Sequence, residues 1–245
     1  QSLRVVDLLE QRYADFDGLN LTYETREGIL KHCSLKNAKN LGDVGERFIK
    51  KQQPSLEAQL VNYADEIAYN NHDIDDGYRS GVLKFKALMD ISLFKESAEL
   101  VKKEYPGIKE DRWLHETIRR IMFKLISDIC ETSLGSIEKF KPKTIQDIRT
   151  LPQLIGFSSE MSQKHQELKQ FLRYFLYEHD RVVEMTNNAK EIIKDLFFYF
   201  INDSSLMPIA YQDKSKQDPA RAVSDYLAGM TDRYAIKTHE HIKIR

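Results

Sequence analysis

An all-α fold follows from three features of the sequence. Glycine and proline are scarce, ten and six in 245 residues, so few positions interrupt regular structure. Leu, Ile and Phe recur at three- and four-residue spacing among Lys and Glu, which is the period of a half-buried helix and not of a strand. Charged residues make up 31% of the chain, enough to clothe the outer face of many amphipathic helices around one full core. The net charge of −1 gives no global pull toward nucleic acid and leaves only a local basic patch as a route to it. Cys33 and Cys130 stand apart with no CxxC pair, so neither a disulfide framework nor a cysteine zinc site is signalled, and a reducing cytoplasm fits best. The most apolar stretch, residues 192–201, is interrupted by Lys194 and Asp195 and is too short to span a bilayer. No signal peptide opens the chain, so a soluble, cytoplasmic protein with no membrane partner is expected.

Taken in order, Leu3, Val6, Leu9 and Tyr13 form the stripe of a first amphipathic helix, whose abrupt start reads as a cut through a longer chain. Residues 15–20 are turn-like. Thr22 is placed to cap a second helix with Glu24 in its first turn and Lys31 and His32 in its last, in accord with the helix dipole. A polar loop at 37–45 and a short helix near 46–51 follow. Residues 82–105 read as one long helix stopped by Pro106-Gly107, with Leu83, Phe85, Leu88, Ile91 and Phe94 as core. The next helix, 111–133, turns Leu114, Ile121, Leu125 and Ile129 inward and brings Arg112, His115 and Arg119 together on another face; arginines near a helix start oppose the dipole and so call for a reason. Residues 138–159 form a connector with Pro142 and Pro152 and a short helix at 145–149. Ser158 or Ser159 opens a further helix, and 181–202 makes another with Val182, Ile193, Leu196 and Phe197 inside. Asp218-Pro219 supplies a cap and a first-turn proline for a final helix through residue 241; Gly229 in its middle costs about 1 kcal/mol against alanine, which implies close packing there.

The stretch that organises the chain is residues 54–80, PSLEAQLVNYADEIAYNNHDIDDGYRS, opened by a proline at the helix entry and loosened at its far end by Gly77 and Gly81. Wound at about 100° per residue, it places Leu56, Leu60, Ile67 and Ile74 on one side and Asp65, Tyr69, His72, Asp73 and Asp76 on the other. Three carboxylates along one face with no lysine or arginine among them repel one another. A metal ion, a basic helix such as the one carrying Arg112, His115 and Arg119, or solvent is needed to balance them. No serine triad order, glycine-rich phosphate loop, dinucleotide fingerprint or HExxH helix is present. His72-Asp73 imitates a two-residue metal signature, but the only histidine upstream is His32, which is not followed by aspartate.

Three segments, LNLTYETREGILKH at 19–32, LEAQLVNYADEIAYNNHDIDDG at 56–77 and AVSDYLAGMTDRYA at 222–235, resemble in this order the bacterial deoxyguanosine triphosphate triphosphohydrolase-like proteins, the dNTPase branch of the HD superfamily, and the likeness covers the whole chain. The resemblance implies a metal site made by a histidine, a later His-Asp pair and a final aspartate, with Mg²⁺ or Mn²⁺ as the cofactor. Asp65 matches that final aspartate, Tyr69 the tyrosine that touches the triphosphate, and Asp73 the residue that takes the sugar 3′-hydroxyl. Lys31 and the trio Arg112, His115 and Arg119 fall where the family gathers phosphate and nucleobase contacts, and Arg221 and Arg233 where they would serve the site or a subunit contact. The family's first histidine, its His-Asp pair and its catalytic histidine and glutamate precede the point at which this sequence starts. The catalytic residues are therefore expected upstream of Gln1, and this chain alone is expected to be inactive or nearly so. In the intact protein a metal-bound water or hydroxide would attack the α-phosphorus of a dNTP, dGTP favoured, and release deoxynucleoside and triphosphate. The resemblance also implies homo-oligomers, with residues 1–135 as the C-terminal part of the HD-type catalytic core and 136–245 as a helical region packed on it. The rival reading is a noncatalytic helical module that binds nucleotides or single-stranded nucleic acid, or mediates assembly.

Overall fold

The computed structural model describes residues 1–243. It is helical throughout, and an isolated bridge between Gln11 and Gly18 is the only β pairing among the described residues. No described helix is long and apolar enough to cross a membrane. The chain forms two compact units, residues 1–177 and the residues from 178 onward. A division at 135/136, expected from the resemblance, would fall inside the longest helix.

The first unit begins with α1 (Ser2–Arg4), which runs into a π turn at Val5–Leu9 and ends there, so Tyr13 lies outside the helix and is exposed, against the expected stripe. Thr22 caps α2 (Tyr23–Ile29) by accepting the Thr25 N–H. This helix stops before Lys31 and His32, so neither residue answers its dipole. Two short helices, α3 (Leu35–Ala38) and α4 (Asp43–Ile49), occupy much of what reads in sequence as a polar loop. The organising stretch is α5 (Leu56–Arg79). Ser55 caps it by accepting the Ala58 N–H, which leaves Pro54 just outside the helix instead of in its first turn. Ile67 and Ile74 are buried as expected, but Leu60 is exposed, and Gln59, Asn70, Asn71 and Gly77 complete the inner face. Gly77 does not loosen α5: a Cβ there would stand 2.6 Å from the Leu83 side chain, so the glycine lets the next segment pass close. Gly81, at φ +74, then makes the left-handed turn that ends the element.

The helix expected over 82–105 is broken into α6 (Phe85–Leu88) and α7 (Ser92–Glu104). The long α8 (Glu110–Phe140) runs seven residues past its expected end and stops at Lys141 in the left-handed region. A capping box of Thr144 and Asp147 opens α9 (Ile145–Thr150), and Ser158 caps α10 (Ser159–Leu172), which passes into a π turn at Arg173–Tyr177. Ile67, Ile74, Leu88, Phe94, Ile121, Leu125 and Leu172 meet in one core, so α5, α6, α7, α8 and α10 enclose a single apolar interior.

The second unit holds α11 (Asp180–Asn202), a 3-10 turn at Ser204–Leu206, α12 (Ile209–Ser215), α13 (Pro219–Ala228) and α14 (Asp232–Lys243). Its core gathers Leu196, Phe200, Met207, Val223, Leu227 and Ala235, whereas Ile193 is exposed. The expected single terminal helix is two, because Gly229 caps α13. Its surroundings are not tight: a Cβ at Gly229 would meet nothing nearer than 3.5 Å.

Candidate functional site

The entry to α5 is pinned by a buried charge cluster. Glu27, 1% exposed on α2, accepts Arg149 Nη1 at 2.7 Å and lies 3.4 Å from Arg47 Nε. The backbone N–H of Ser55 reaches the other Glu27 oxygen at 3.4 Å, so the carboxylate ties α2, α4 and α9 to the cap of α5. Burial works against the charge of Arg149, yet the hydrogen bond and attraction of Glu27 hold its pKa above the ordinary value, while for Arg47 burial wins and lowers it. Arg47 also donates Nη2 to the Leu30 carbonyl at 2.7 Å. That bond fixes the residue before Lys31.

From this anchored position Lys31 donates Nζ to Asp65 Oδ2 at 2.8 Å. One turn along α5, Tyr69 presents a largely exposed ring, and one turn further Asp73 accepts the hydroxyl of Tyr177 from the π turn after α10. The rings of Tyr69 and Tyr177 are nearly parallel, 16° apart with centroids 6.4 Å from each other. Burial raises the Asp73 pKa, only partly offset by the Tyr177 hydrogen bond, and Asp76 adds to the rise. Burial and the same hydrogen bond push the Tyr177 hydroxyl above its ordinary value, so it stays protonated and donates. His72 is exposed, and among the described residues no group of three His, Cys, Asp or Glu side chains is placed to hold a metal.

Of the basic trio on α8, His115 alone reaches α5. Its Nδ1 lies 3.5 Å from Asp75 Oδ1, on the flank of α5 away from Asp73. Asp75 also holds Arg79 at 2.9 Å, and one of its oxygens is buried without a hydrogen bond. Arg119 pairs with Glu116 in its own helix, and Arg112, His115 and Arg119 line a separate cavity of about 900 Å³ beside the turn at Pro106-Gly107. The expected counterpart of the acidic face is therefore supplied along the helix by Lys31 at Asp65 and Tyr177 at Asp73. Arg221 and Arg233 lie exposed on α13 and α14 of the second unit.

A divalent ion needs several oxygen or nitrogen donors converging on one point. Asp65 offers one exposed carboxylate already engaged by an ammonium group, and two further donors do not stand beside it. The described residues by themselves do not make a metal site. What the face does offer is a cation, a phenol with an open ring face, and a carboxylate–phenol pair along two helical turns: contacts for an extended ligand with an anionic end and a hydroxyl-bearing end. Tyr177 is the residue that sequence reasoning missed. It lies 104 positions from Asp73, in a segment whose pattern reads only as core.

Residues 155–241 of this helical chain match the phosphohydrolase-associated domain. Over 242 residues, 99% of its length, the chain is 52% identical to the deoxyguanosinetriphosphate triphosphohydrolase-like protein of Bordetella pertussis and 50% identical to that of Thiobacillus denitrificans. Over 243 residues it is 52% identical to the protein of the same name from Ralstonia pickettii. Along 99% of its length the chain is similar to deoxyguanosinetriphosphate triphosphohydrolase-like proteins. It spans 63%, 64% and 63% of these three relatives.

Proposed function

We propose that the exposed face of α5 is the nucleotide-facing wall of a dNTP triphosphohydrolase, with dGTP favoured as substrate. The observation that carries this reading is the connected series Lys31, Asp65, Tyr69, Asp73 and Tyr177, which matches in order the needs of a triphosphate followed by a deoxyribose. Lys31 neutralises phosphate charge, Tyr69 donates to a phosphate oxygen, and Asp73 accepts the sugar 3′-hydroxyl in place of the Tyr177 hydroxyl that it now holds. Asp73 can serve as that acceptor through the carboxylate that now accepts the Tyr177 hydroxyl. Asp65 belongs to the same reading as one ligand of a divalent ion, Mg²⁺ or Mn²⁺, whose other ligands come from outside the described residues. The activity is assigned to the intact protein, and this chain alone is expected to have little or none.

The test is product analysis. The full-length protein, given each dNTP with Mg²⁺ or Mn²⁺, should release inorganic triphosphate and deoxynucleoside in equal amounts, while a single-stranded oligonucleotide should neither be consumed nor be needed. Release of orthophosphate or pyrophosphate, or a response to oligonucleotide with none to any nucleotide, would overturn the reading in favour of another hydrolase or a binding module.

A further inference from the structure

Helix α10 carries a buried histidine that the chemistry proposed for α5 does not use. His165 is 4% exposed and lies against α5 beside Asn70, itself 6% exposed. The Asn70 amide donates to Nε2 at 2.9 Å, so the neutral ring keeps its proton on Nδ1. That nitrogen looks toward Glu66 Oε2, 3.9 Å away, and Lys169, one turn further along α10, binds the other Glu66 oxygen. Phe157, just before the cap of α10, closes another side with its ring centroid 5.0 Å from the imidazole. These contacts stand directly behind the exposed face, because Glu66 follows Asp65 and Asn70 follows Tyr69. The same helix then passes into the π turn whose Leu176 lies against Gly77 and whose Tyr177 holds Asp73. Helix α10 therefore touches α5 on both sides of Tyr69.

We propose that His165 is a positioning residue: through Asn70 it sets how α10 seats on α5, and so where Tyr69 and Asp73 stand for substrate. The proposal rests on the reading of that face as the nucleotide-facing wall. An aliphatic side chain would fill the same space among Phe157, Leu168 and Leu172, but it would give the buried Asn70 amide no acceptor. The acceptor exists only while the ring is neutral. Once protonated, both nitrogens donate, so Asn70 must reverse its amide or part from the ring, and Glu66 is drawn from Lys169 toward the imidazolium. Either change acts on the residue next to Tyr69 and on the residue next to Asp65. The charged groups facing the ring are Glu66 from α5 and Lys169 from α10 itself. Burial disfavours the imidazolium most, Glu66 favours it and Lys169 opposes it, and together they hold the pKa below 6.5. The seat is complete at neutral pH and is undone as pH falls below that value.

Two measurements on the full-length protein test this. The first is triphosphate release from dGTP between about pH 5 and pH 8, with KM and kcat separated. In the native protein KM should rise on the acid side while kcat changes far less. His165→Gln offers Asn70 an oxygen acceptor that does not titrate, so it should keep the neutral-pH KM and lose the part of the acid rise that belongs to His165. His165→Leu fills the space without an acceptor and should raise KM about tenfold at every pH. The second measurement needs no turnover: fluorine NMR of a 3-fluorotyrosine placed at Tyr177, followed from about pH 5 to pH 7. Its resonance should move with the His165 titration in the native background and stay still in His165→Gln. Identical pH profiles for the native protein and His165→Gln overturn the proposal, as does an unchanged KM in His165→Leu. A His165→Leu variant that loses kcat and melting temperature together, with no rescue by glutamine, also overturns it, because the histidine would then serve only the fold. If no nucleotide yields triphosphate, the reading of the face fails, and a fluorine resonance that ignores His165 would separately overturn the positioning role.

Discussion

The two ends of one helix face are built on opposite principles. At the entry to α5, Glu27 and Arg47 are buried and the Arg149 side chain nearly so, and they hold one another and the backbone of the segments they join, with Arg47 Nε left 3.4 Å from Glu27 and without a hydrogen bond. Two turns further on, Asp65, Tyr69 and Asp73 stand at the surface, each held by a single partner and each with acceptor or donor capacity left. The buried cluster has charge with no freedom; the exposed series has freedom that the fold alone does not need. The first behaves as scaffold, and the second is the face proposed to bind nucleotide. The link between them is short: Arg47 fixes the Leu30 carbonyl, and the next residue is the lysine that faces Asp65.

The largest effect should come from breaking the scaffold. Glu27→Ala strands two arginines in the interior and is expected to cost about 3–5 kcal/mol, seen as a large fall in the melting temperature. A loss near zero would mean that water reaches the cluster and the contrast with α5 is false.

A smaller effect is expected from His165, which is buried on α10 and takes the Asn70 amide N–H at Nε2, 2.9 Å away. Burial lowers its pKa below the ordinary 6.5. Between the lowered folded value and 6.5 the unfolded chain binds a proton that the folded chain refuses, so stability is fully present above about pH 6.5 and is lost as pH falls through that window. Denaturant midpoints measured from pH 8 down to pH 5 should show this slope, and His165→Gln should flatten it.

Asp73 has the opposite sign. Its folded pKa is raised, so the folded state holds the proton longer, and stability falls as pH rises from the ordinary carboxylate value, 3.8, through the raised one. Asp73→Asn should therefore leave the melting temperature at pH 7 unchanged or slightly higher while weakening nucleotide binding. A clear loss of stability would move Asp73 from the binding face to the scaffold. The smallest stability change belongs to Lys31→Ala. The Asp65 carboxylate side chain is 70% exposed, so this pair is worth no more than about 1 kcal/mol, and the effect should appear in the KM for nucleotide instead.

Much of this contrast was legible in the sequence, because periodicity and caps are local signals. The inward Ile67 and Ile74, the cap at Ser158 and the exposed row from Asp65 to Asp73 all follow from spacing. What escaped depends on partners far away in the chain. The break between α6 and α7 has no glycine or proline to announce it; Glu167 of α10 accepts the N–H and hydroxyl of Ser92 at 3.1 and 3.2 Å, starting a new helix where the pattern reads on unbroken. Tyr177 escaped for the same reason. The role of Glu27 was hidden because a glutamate in the middle of a short helix looks solvated until Arg47 and Arg149 are folded onto it. The charged trio on α8 was seen correctly as a cluster, but spacing could not tell that only His115 would reach α5.

The central claim is that the exposed face of α5 binds the nucleotide. Its most direct test is triphosphate release from dGTP by the full-length protein carrying Asp65→Ala, with folding checked by circular dichroism. The account predicts loss of at least ~100-fold in kcat/KM with an unchanged melting temperature, since the group acts on substrate and not on the fold. Full activity in that variant would contradict it.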